Sequence, residues 1–429
     1  MHIIDKIDIK KLWGTNDLVI KCFDDYNFLI GENGTGKTTV INLVAAALRA
    51  DFKKLDQIEF ESVEIFLKSS GNKKKPSIKV SKSQKKDLPF SDINYEIKQS
   101  QSEPSVQFDL DELESERIYR GFSVRMLRET KYNHYQTSVY SEIEKLINVN
   151  WLSVHRNDEI LIKEIDNDNR PPIDIKIDKL NDSLVKFFSS LSKKFSEKIL
   201  DFQKEILLSI LTPETEDTIL KFVSAINVNK EKKALEDIFE VLGVKEYKSK
   251  PKIQKHFDRF NKANEYLSDP NKKGITTEHF VSLLNVWRSH ALVDEYEALQ
   301  EKKEEIFSQQ NKFINLLNIL FEKRKTVELS DRNELVFHTL NSYRRLKLSE
   351  LSSGEKQLLI ILGQALLQEQ KPTIFIADEP ELSLHLKWQT SLTNAITSLN
   401  PKAQIIFATH SPDIVAAQQN KVIRMENML

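Results

Sequence analysis

The chain has 429 residues, of which 40% are hydrophobic and 30% are charged. This length exceeds that of one average domain, so the chain can form two or three domains with apolar cores. The formal net charge of −1 excludes a global electrostatic field that attracts nucleic acid or anionic membranes, so any nucleic-acid contact must be local. The single cysteine, Cys22, excludes an intrachain disulfide framework and a two-cysteine metal site.

The amino-terminal segment and the hydropathy of the chain contain no signal for secretion or membrane insertion. Residues 1–6 lack the apolar stretch of a signal peptide. No run approaches the roughly 18 apolar residues that a membrane-spanning helix needs. We therefore expect a soluble, cytoplasmic protein.

A glycine-rich segment near the amino terminus predicts a phosphate-binding loop. It lies between the strand-like residues 17–30 and residues 38–50, which have helical periodicity. The segment Gly31–Thr38 fits the pattern G-x-x-x-x-G-K-[ST]. In this pattern backbone N–H groups bind phosphates, the lysine (Lys37) reaches the β- and γ-phosphates, and the final residue (Thr38) supplies a magnesium ligand. The predicted nucleotide-binding residues are Gly31, Glu32, Asn33, Gly34, Thr35, Gly36, Lys37, Thr38 and Thr39.

The residues after the first helix predict short strands. Alternating hydrophobicity over residues 59–98 predicts a meander of strands. The lysine-rich stretch 73–86 within it is interpreted as a solvated hairpin tip, because no aromatic residues alternate with the lysines. Residues 149–156 are typical of a buried strand. His155 and Arg156, at its carboxyl end, are candidates for contacting nucleotide or a partner copy, with an ordinary surface pair as the alternative.

The character of the sequence changes after Pro171 and Pro172. Apolar residues recur at steps of three and four over residues 184–206 and again over 292–320, which is typical of long amphipathic helices. Breaks are expected near Pro213, Gly243, Pro251 and Pro270. The pattern predicts a helical arm inserted between the two halves of a nucleotide-binding domain. Packing within the protein is the main interpretation of its apolar faces, and a surface for another protein is the alternative.

Strands return from residue 326, and one of them ends in two acidic residues. Residues 373–377 and 404–408 are continuous apolar runs, typical of central parallel strands that are covered on both faces. Asp378 and Glu379 follow the first run. At the strand tip next to the phosphate loop, Asp378 is placed to bind magnesium directly or through water, and Glu379 to polarise the attacking water.

Residues 351–357, with the sequence Leu-Ser-Ser-Gly-Glu-Lys-Gln, precede a helical run. Ser352 or Ser353 can cap this helix, whose N-terminus then presents backbone N–H groups and a positive dipole to an anion. A plain helix cap would explain the segment in isolation. Its position shortly before Asp378, in a chain that has a phosphate loop, favours an anion-binding role.

In this order, the motifs resemble those of the ABC-type ATPases. The phosphate loop corresponds to Walker A, residues 351–357 to the signature, 374–379 to Walker B, about 381–385 to the D-loop, and His410 to the switch histidine. The resemblance implies an α/β fold in which an ABC-type P-loop ATPase domain is split by a long, mostly helical insertion. It also implies ATP and Mg²⁺ as ligands.

The resemblance assigns roles to individual residues. Thr38 and Asp378 would hold Mg²⁺, Glu379 would be the catalytic base, and His410 would sense the γ-phosphate. The signature residues of one copy, Ser352, Ser353, Gly354 and Glu355, would act on the ATP held by a second copy. The chain departs from the family pattern in two places. Ser353 stands where transporter ATPases usually have glycine, and His155, rather than a glutamine, stands at about the Q-loop position.

The size of the insertion indicates which branch of the ABC-type ATPases the chain resembles. More than 300 residues separate Lys37 from Gly354, as in the SMC, RecF and RecN-like group rather than in transporters. The run Asp378–Glu381 followed by Leu-Ser-Leu-His resembles the OLD-like branch. Only 19 residues follow His410, too few for the TOPRIM domain of OLD nucleases. The layout resembles the ATPase subunits of bacterial anti-phage systems such as PARIS and Septu.

We therefore expect an ATPase that forms a homodimer or a larger homo-oligomer through shared ATP sites. It would regulate a separate nuclease of the TOPRIM or HNH type in anti-phage defence, with a phage protein or DNA as the candidate trigger and no membrane partner. The alternative is a DNA-repair or chromosome-maintenance ATPase resembling RecF or SMC. A transporter nucleotide subunit fits less well because of the insertion. The predicted domains are ATPase lobe I at 1–170, a helical arm at 171–325 and ATPase lobe II at 326–429.

Overall fold

In the computed structural model of this chain, the described residues are 2–69, 75–83, 92–100, 104–108, 136–152, 170–209, 226–269, 274–322, 324–415 and 418–428. Several sequence predictions concern residues outside these ranges. His155, Arg156, both ends of the stretch 73–86, and the predicted breaks at Pro213 and Pro270 lie outside the described residues.

The strands and helices are numbered in chain order. The strands are β1 (Ile3–Leu12), β2 (Asn16–Lys21), β3 (Tyr26–Ile30), β4 (Ser62–Lys68), β5 (Ser77–Ser83), β6 (Asp92–Lys98), β7 (Val106–Phe108), β8 (Val149–Leu152), β9 (Lys325–Leu329), β10 (Leu335–Thr339), β11 (Arg345–Leu346), β12 (Thr373–Asp378), β13 (Ala403–Ala408) and β14 (Val422–Arg424). The helices are α1 (Lys37–Leu48), α2 (Phe52–Gln57), α3 (136–146), α4 (Pro172–Ser209), α5 (Val228–Val241), α6 (Glu246–Ser268), α7 (Thr277–Leu320), α8 (Ser353–Leu367), α9 (Leu386–Leu399) and α10 (Pro412–Val415).

A five-stranded parallel sheet positions the predicted motifs. Its strand order is β14-β3-β13-β12-β8, and every neighbouring pair is parallel. All six residues of β12 and all six of β13 are buried, as their continuous apolar runs predict. Because the strands are parallel, their carboxyl ends share one edge of the sheet. The phosphate loop, Asp378 and the segment that leads to His410 all follow strands at this edge.

A six-stranded antiparallel sheet with the order β2-β1-β4-β5-β6-β7 lies across α1 from the parallel sheet. In β4 and β6 buried residues alternate with partly exposed ones, so one face of this sheet packs into the core. The apolar side of α1 contributes Val40, Ile41, Leu43 and Val44 to the same core. The predicted meander of strands therefore forms, and it supports the helix that follows the phosphate loop.

The long helices of the predicted insertion are α4, with 38 residues, and α7, with 44 residues. The chain divides into two compact units, residues 186–311 and the remainder on both sides of them. The unit 186–311 has its own apolar core, to which α4, α5, α6 and α7 all contribute. Mixed α/β architecture with a helical insertion is thus confirmed. The domain boundaries at 171 and 326 stay a prediction.

The predicted break at Gly243 is present, whereas the predicted break at Pro251 is wrong. Gly243 has a φ angle of +74° and follows the end of α5. Pro251 lies inside α6, which continues to Ser268. The ring is exposed and removes only one backbone donor, while Ile253, Phe257 and Phe260 beyond it are buried in the core of this unit. Packing of that apolar face outweighs the local preference of proline.

No helix among the described residues is long and apolar enough to span a membrane.

Candidate nucleotide-binding site

The phosphate loop joins the end of β3 to the start of α1. Gly34 and Gly36 have φ angles of +90° and +74°, in the left-handed region that favours glycine. A Cβ atom at Gly36 would lie 2.3 Å from Cη2 of Trp13, so the indole ring packs directly on the loop. Position 36 therefore requires glycine. Trp13 is part of the loop structure, a contribution that the motifs did not indicate.

Lys37 is held across the loop by its backbone carbonyl groups. The residue is only 4% exposed. Its Nζ donates hydrogen bonds to the carbonyl oxygens of Gly31, at 2.8 Å, and Glu32, at 3.0 Å. Thr35 Oγ1 donates to the Glu32 carbonyl oxygen at 2.8 Å. The ammonium group thus lies close to the N-terminus of α1, where backbone N–H groups and the helix dipole also favour an anion.

Thr38 and Asp378 are far apart in sequence, but their side chains meet. Thr38 Oγ1 donates a hydrogen bond to Asp378 Oδ1 at 3.1 Å. Asp378 is the last residue of β12 and is 5% exposed. A hydroxyl and a carboxylate are oxygen ligands that Mg²⁺ accepts, with water and substrate phosphates completing its octahedral coordination. The pair therefore fits the predicted magnesium site.

Glu379 and His410 lie together at the same edge of the parallel sheet. Glu379 has a φ angle of +48°, a strained conformation of a kind that clusters at functional sites. Its Oε1 lies 3.4 Å from His410 Nε2, and its Oε2 accepts the backbone N–H of His410 at 3.3 Å. Burial, together with the hydrogen bond and charge of Glu381, raises the pKa of Glu379 to about 8. The raised pKa makes the deprotonated form of Glu379 a stronger base than an ordinary glutamate, while below about pH 8 most of the carboxyl group carries a proton.

Glu381 connects the turn after β12 to the histidine segment. Its Oε1 accepts the backbone N–H groups of His410 and Ser411, both at 3.1 Å, and the hydroxyl of Thr409. Glu381 is 8% exposed. Three donors converging on one buried carboxylate oxygen fix the position of residues 409–411. The sequence placed Glu381 at the start of the predicted D-loop, but it did not indicate that this carboxylate binds the backbone of residues 409–411.

The start of α8 is a capping box. Ser352 Oγ accepts the Glu355 backbone N–H at 3.3 Å, and Glu355 Oε2 accepts the Ser352 backbone N–H at 2.7 Å. Glu355 also forms a buried ion pair with Lys325, at 2.6 Å. Burial alone would raise the pKa of Glu355, but the bonds from Lys325 and Ser352 outweigh it and lower the pKa. Ser352 and Ser353 are both exposed.

A second buried ion pair follows directly in α8. Lys356 Nζ lies 2.6 Å from Asp174 Oδ1, in the first turn of α4, and also donates to the Ser349 carbonyl oxygen at 2.8 Å. The start of α8 is therefore tied to the start of α4 and, through Lys325, to the start of β9. These contacts fix the orientation of the segment 351–357.

A family model described as "AAA domain, putative AbiEii toxin, Type IV TA system" matches residues 226–416. The match begins after the first half of the insertion and includes Ser352–Glu355, Asp378, Glu379 and His410. It thus covers the second group of motifs.

Two curated relatives, a Septu protein and a probable ATPase of a retron, match part of this chain. The Septu protein PtuA of Bacillus thuringiensis is 33% identical over 111 residues, which are 22% of this chain and 27% of the relative. The retron Vc95 probable ATPase of Vibrio cholerae serotype O1 biovar El Tor is 26% identical over 143 residues, 30% of this chain and 27% of the relative. The aligned part spans about a quarter of either relative. This chain resembles the ABC-type ATPases of defence systems.

The solved structures to which this chain is similar include Smc head domains. The head domain with an extended coiled coil from Pyrococcus furiosus, bound to the C-terminal domain of ScpA, aligns with 99% of this chain and 93% of its own length. The sequence identity is 12% and the TM-score is 0.42.

In the terms of the ABC-type ATPases, the structure brings the Walker A, Walker B and switch-histidine residues together. Lys37, Thr38, Asp378, Glu379 and His410 all lie at the carboxyl edge of the parallel sheet. Among the other predicted loop residues, Glu32, Asn33 and Gly34 are exposed, and Thr39 is half-buried. The Glu32 backbone N–H donates to Glu426 Oε1 at 2.8 Å, a contact with the last strand region that the sequence did not indicate.

The segment 351–357, predicted as the signature, lies against residues 380–383, which follow β12 and include part of the predicted D-loop. A Cβ atom at Gly354 would lie 2.3 Å from the backbone carbonyl oxygen of Ser383, so this position requires glycine. Gln357 Nε2 donates to the Pro380 carbonyl oxygen at 2.9 Å. Ser383 has a φ angle of +70°. The start of α8 and the turn after β12 are therefore packed directly against each other.

Replacing Gly354 with alanine is expected to lower the free energy of unfolding by about 1–3 kcal/mol, because the new methyl group meets backbone that cannot rotate away. Thermal unfolding measures this change. Gly363→Ala is the matched control in the same helix, since the nearest atoms to a Cβ there belong to the side chain of Leu180, at 2.9 Å, and not to backbone. Equal stability of Gly354→Ala and wild type would contradict the close approach of Ser383.

Proposed function

We propose that this chain binds and hydrolyses ATP, self-associates through paired ATP sites and regulates a separate nuclease in bacterial defence. The observation that supports the ATPase role most strongly is the contact of Thr38 with Asp378, beside Glu379 and His410. This arrangement places an anion-binding loop, a candidate metal pair and a carboxylate base at one edge of a sheet. Phosphoryl transfer needs this combination of positioning, charge neutralisation and an oriented water molecule.

Each residue has a specific part in the proposed reaction. Lys37 and the backbone N–H groups at the start of α1 bind the β- and γ-phosphates. Thr38 and Asp378 hold the magnesium ion, which supplies charge neutralisation on the phosphate oxygens. Glu379 accepts a proton from the attacking water, and His410 contacts the γ-phosphate. Glu381 keeps His410 in register with Glu379 through its bonds to the backbone of residues 409–411.

Self-association is the second part of the proposal. The exposed Ser352 and Ser353, at the N-terminus of α8, offer a hydroxyl, N–H groups and a positive helix dipole to a phosphate. In the ABC-type ATPases the signature acts on ATP bound by the other copy. The same arrangement in this protein would make each site depend on two chains, as homodimer or larger homo-oligomer.

A mixture of two inactive variants tests the shared site. Lys37→Ala removes the phosphate contact, and Ser353→Arg blocks the signature. If signature and phosphate loop act between copies, a heterodimer keeps one intact composite site. Random pairing in a twofold dimer then restores about a quarter of wild-type turnover. A mixture as inactive as either variant alone would contradict the shared site while leaving ATP binding by each chain open to separate measurement.

Regulation of a nuclease is the third part of the proposal. The named relatives come from a Septu system and a retron, and this supports a defence role. We expect a nuclease of the TOPRIM or HNH type, encoded nearby, to co-purify with this chain from the cytoplasm and to dissociate or activate when the ATP state changes. Co-expression and affinity purification with and without ATP measure this directly. A neighbouring replication gene and the absence of any nuclease partner would favour a chromosome-maintenance ATPase instead.

A further inference from the structure

Helix α6 carries a row of basic side chains along one face. Lys248, Lys252, Lys255, Arg259 and Lys262 follow each other at steps of four, three, four and three residues, and Lys245 precedes them by three. Positions with this spacing lie on one side of an α-helix. With a rise of about 1.5 Å per residue, the five positions from Lys248 to Lys262 extend over about 21 Å, and Lys245 lies just before the helix. We call these six residues the basic stripe.

All six residues of the basic stripe are exposed. The buried residues of α6 follow the same rhythm on a different side of the helix, and these are Ser249, Ile253, Phe257, Phe260 and Ala263. Packing in the unit 186–311 therefore fixes which face of α6 is directed to solvent. The stripe occupies an exposed side of α6, next to the buried face, as far as Lys262.

The basic stripe contains no acidic residue, and its closest acidic neighbours along the helix are Asp258, three residues after Lys255, and Glu265, three residues after Lys262. The acidic residues of α6 are Glu246, Asp258 and Glu265, at other positions around the helix. Among the ion pairs of the described residues, Glu246 pairs with Lys250, which is not a member of the stripe. None of the six members takes part in a salt bridge within the described part of the chain. Because the net charge of the whole chain is −1, the stripe does not reflect a general excess of basic residues.

The neighbouring elements do not cover the stripe with opposite charge. Helix α5 packs on another side of α6, where Lys232 Nζ donates to Gln254 at 3.0 Å. Helix α7 runs antiparallel to α6 and contacts it through neutral or aromatic pairs. His256 lies 3.1 Å from Ser289, and the rings of Tyr266 and His279 are 4.4 Å apart.

The geometry points to the basic stripe of α6 as a binding surface for the phosphate backbone of a nucleic acid. A straight row of positive charges matches a linear polyanion, and lysine binds phosphates as a point charge. The ring of Tyr247 is exposed, with Lys248 Nζ 5.9 Å from its centroid, so a base stacked on this ring would lie beside the stripe. A protein partner fits less well, because lysine is depleted from protein interfaces and the stripe has no apolar centre.

Salt dependence of binding is the quantitative test. Six phosphate contacts predict that log Kd changes with log salt concentration with a slope of about 5 for duplex DNA and about 4 for a single strand. Fluorescence anisotropy of a labelled 30-base-pair duplex, and of one of its strands, measures this slope with the full-length protein. Neutralising Lys252, Arg259 and Lys262 to glutamine should lower the slope by about three and weaken binding.

A matched control separates the basic stripe from general positive charge. The triple variant Lys193→Gln, Lys194→Gln and Lys302→Gln removes the same charge from exposed positions on α4 and α7 of the same unit. It should bind like wild type, and ATP turnover without nucleic acid should be unchanged in both triple variants. Equal weakening in both variants, or no binding by wild type, would overturn the proposal. Loss of an interaction with polyglutamate in the stripe variant, without any DNA binding, would assign the surface to an acidic protein and also overturn it.

Discussion

Replacing Glu379 with glutamine is expected to reduce ATP hydrolysis about 100- to 10,000-fold, because the amide cannot accept the proton of the attacking water. ATP binding should persist, since Lys37, Thr38 and Asp378 are unchanged. The trapped nucleotide should also increase self-association if the site is shared between copies. Turnover by phosphate release, ATP affinity by equilibrium titration and mass by light scattering measure the three effects.

The control for this variant is Glu322→Gln, the same chemical change at an exposed position outside the site. It should leave turnover unchanged. Normal hydrolysis by Glu379→Gln would exclude Glu379 as the base. Loss of both ATP binding and turnover would mean that the strained turn at residue 379, with its φ angle of +48°, has collapsed, and thermal unfolding would detect this.

Lys37→Ala is expected to weaken ATP binding by roughly 30- to 1,000-fold, equivalent to about 2–4 kcal/mol for the loss of a buried charge from its anionic partner. The side chain is 4% exposed and bonded to the carbonyl groups of Gly31 and Glu32, so its ammonium group is already held in place. Hydrolysis should fall accordingly at low ATP concentration. Equilibrium titration with a fluorescent ATP analogue measures the affinity.

Lys402→Ala removes an exposed ammonium group elsewhere and serves as the control. Its ATP affinity should equal that of wild type. Normal ATP affinity of Lys37→Ala would contradict the assignment of residues 31–38 as the phosphate site. Comparison of thermal unfolding for the two variants distinguishes a lost phosphate contact from a collapsed loop.

Secondary structure near the site could be predicted because its signals are local. The continuous apolar runs of β12 and β13 report burial on both faces, and the alternation in β4 reports burial on one. The predicted break at Pro251 is wrong because the deciding contacts there are not local. Proline disfavours a helix interior locally, but the buried face of α6 is determined by residues that are distant in sequence.

Some contacts at the site could not be predicted from the motifs. Trp13 packs on Gly36 because a turn between β1 and β2 reaches the loop, and nothing in residues 11–15 indicates that approach. Glu381 stands close to Asp378 and Glu379 in the sequence. Its hydrogen bonds, however, are to the backbone of His410 and Ser411, which are distant in sequence. Only packing brings these groups within hydrogen-bond distance.

The sequence by itself predicted which side chains would carry the proposed chemistry: a lysine and a threonine after a glycine-rich loop, two acids after an apolar strand, and a histidine after another. These patterns are readable because each motif depends on the order of neighbouring residues. Only the tertiary structure decided that Thr38 meets Asp378, that Glu381 holds the histidine segment, and that the basic side of α6 is directed to solvent. The physical reason is that parallel packing brings the ends of distant strands to one edge of the sheet. Burial of the apolar side of α6 leaves its basic side chains exposed to solvent.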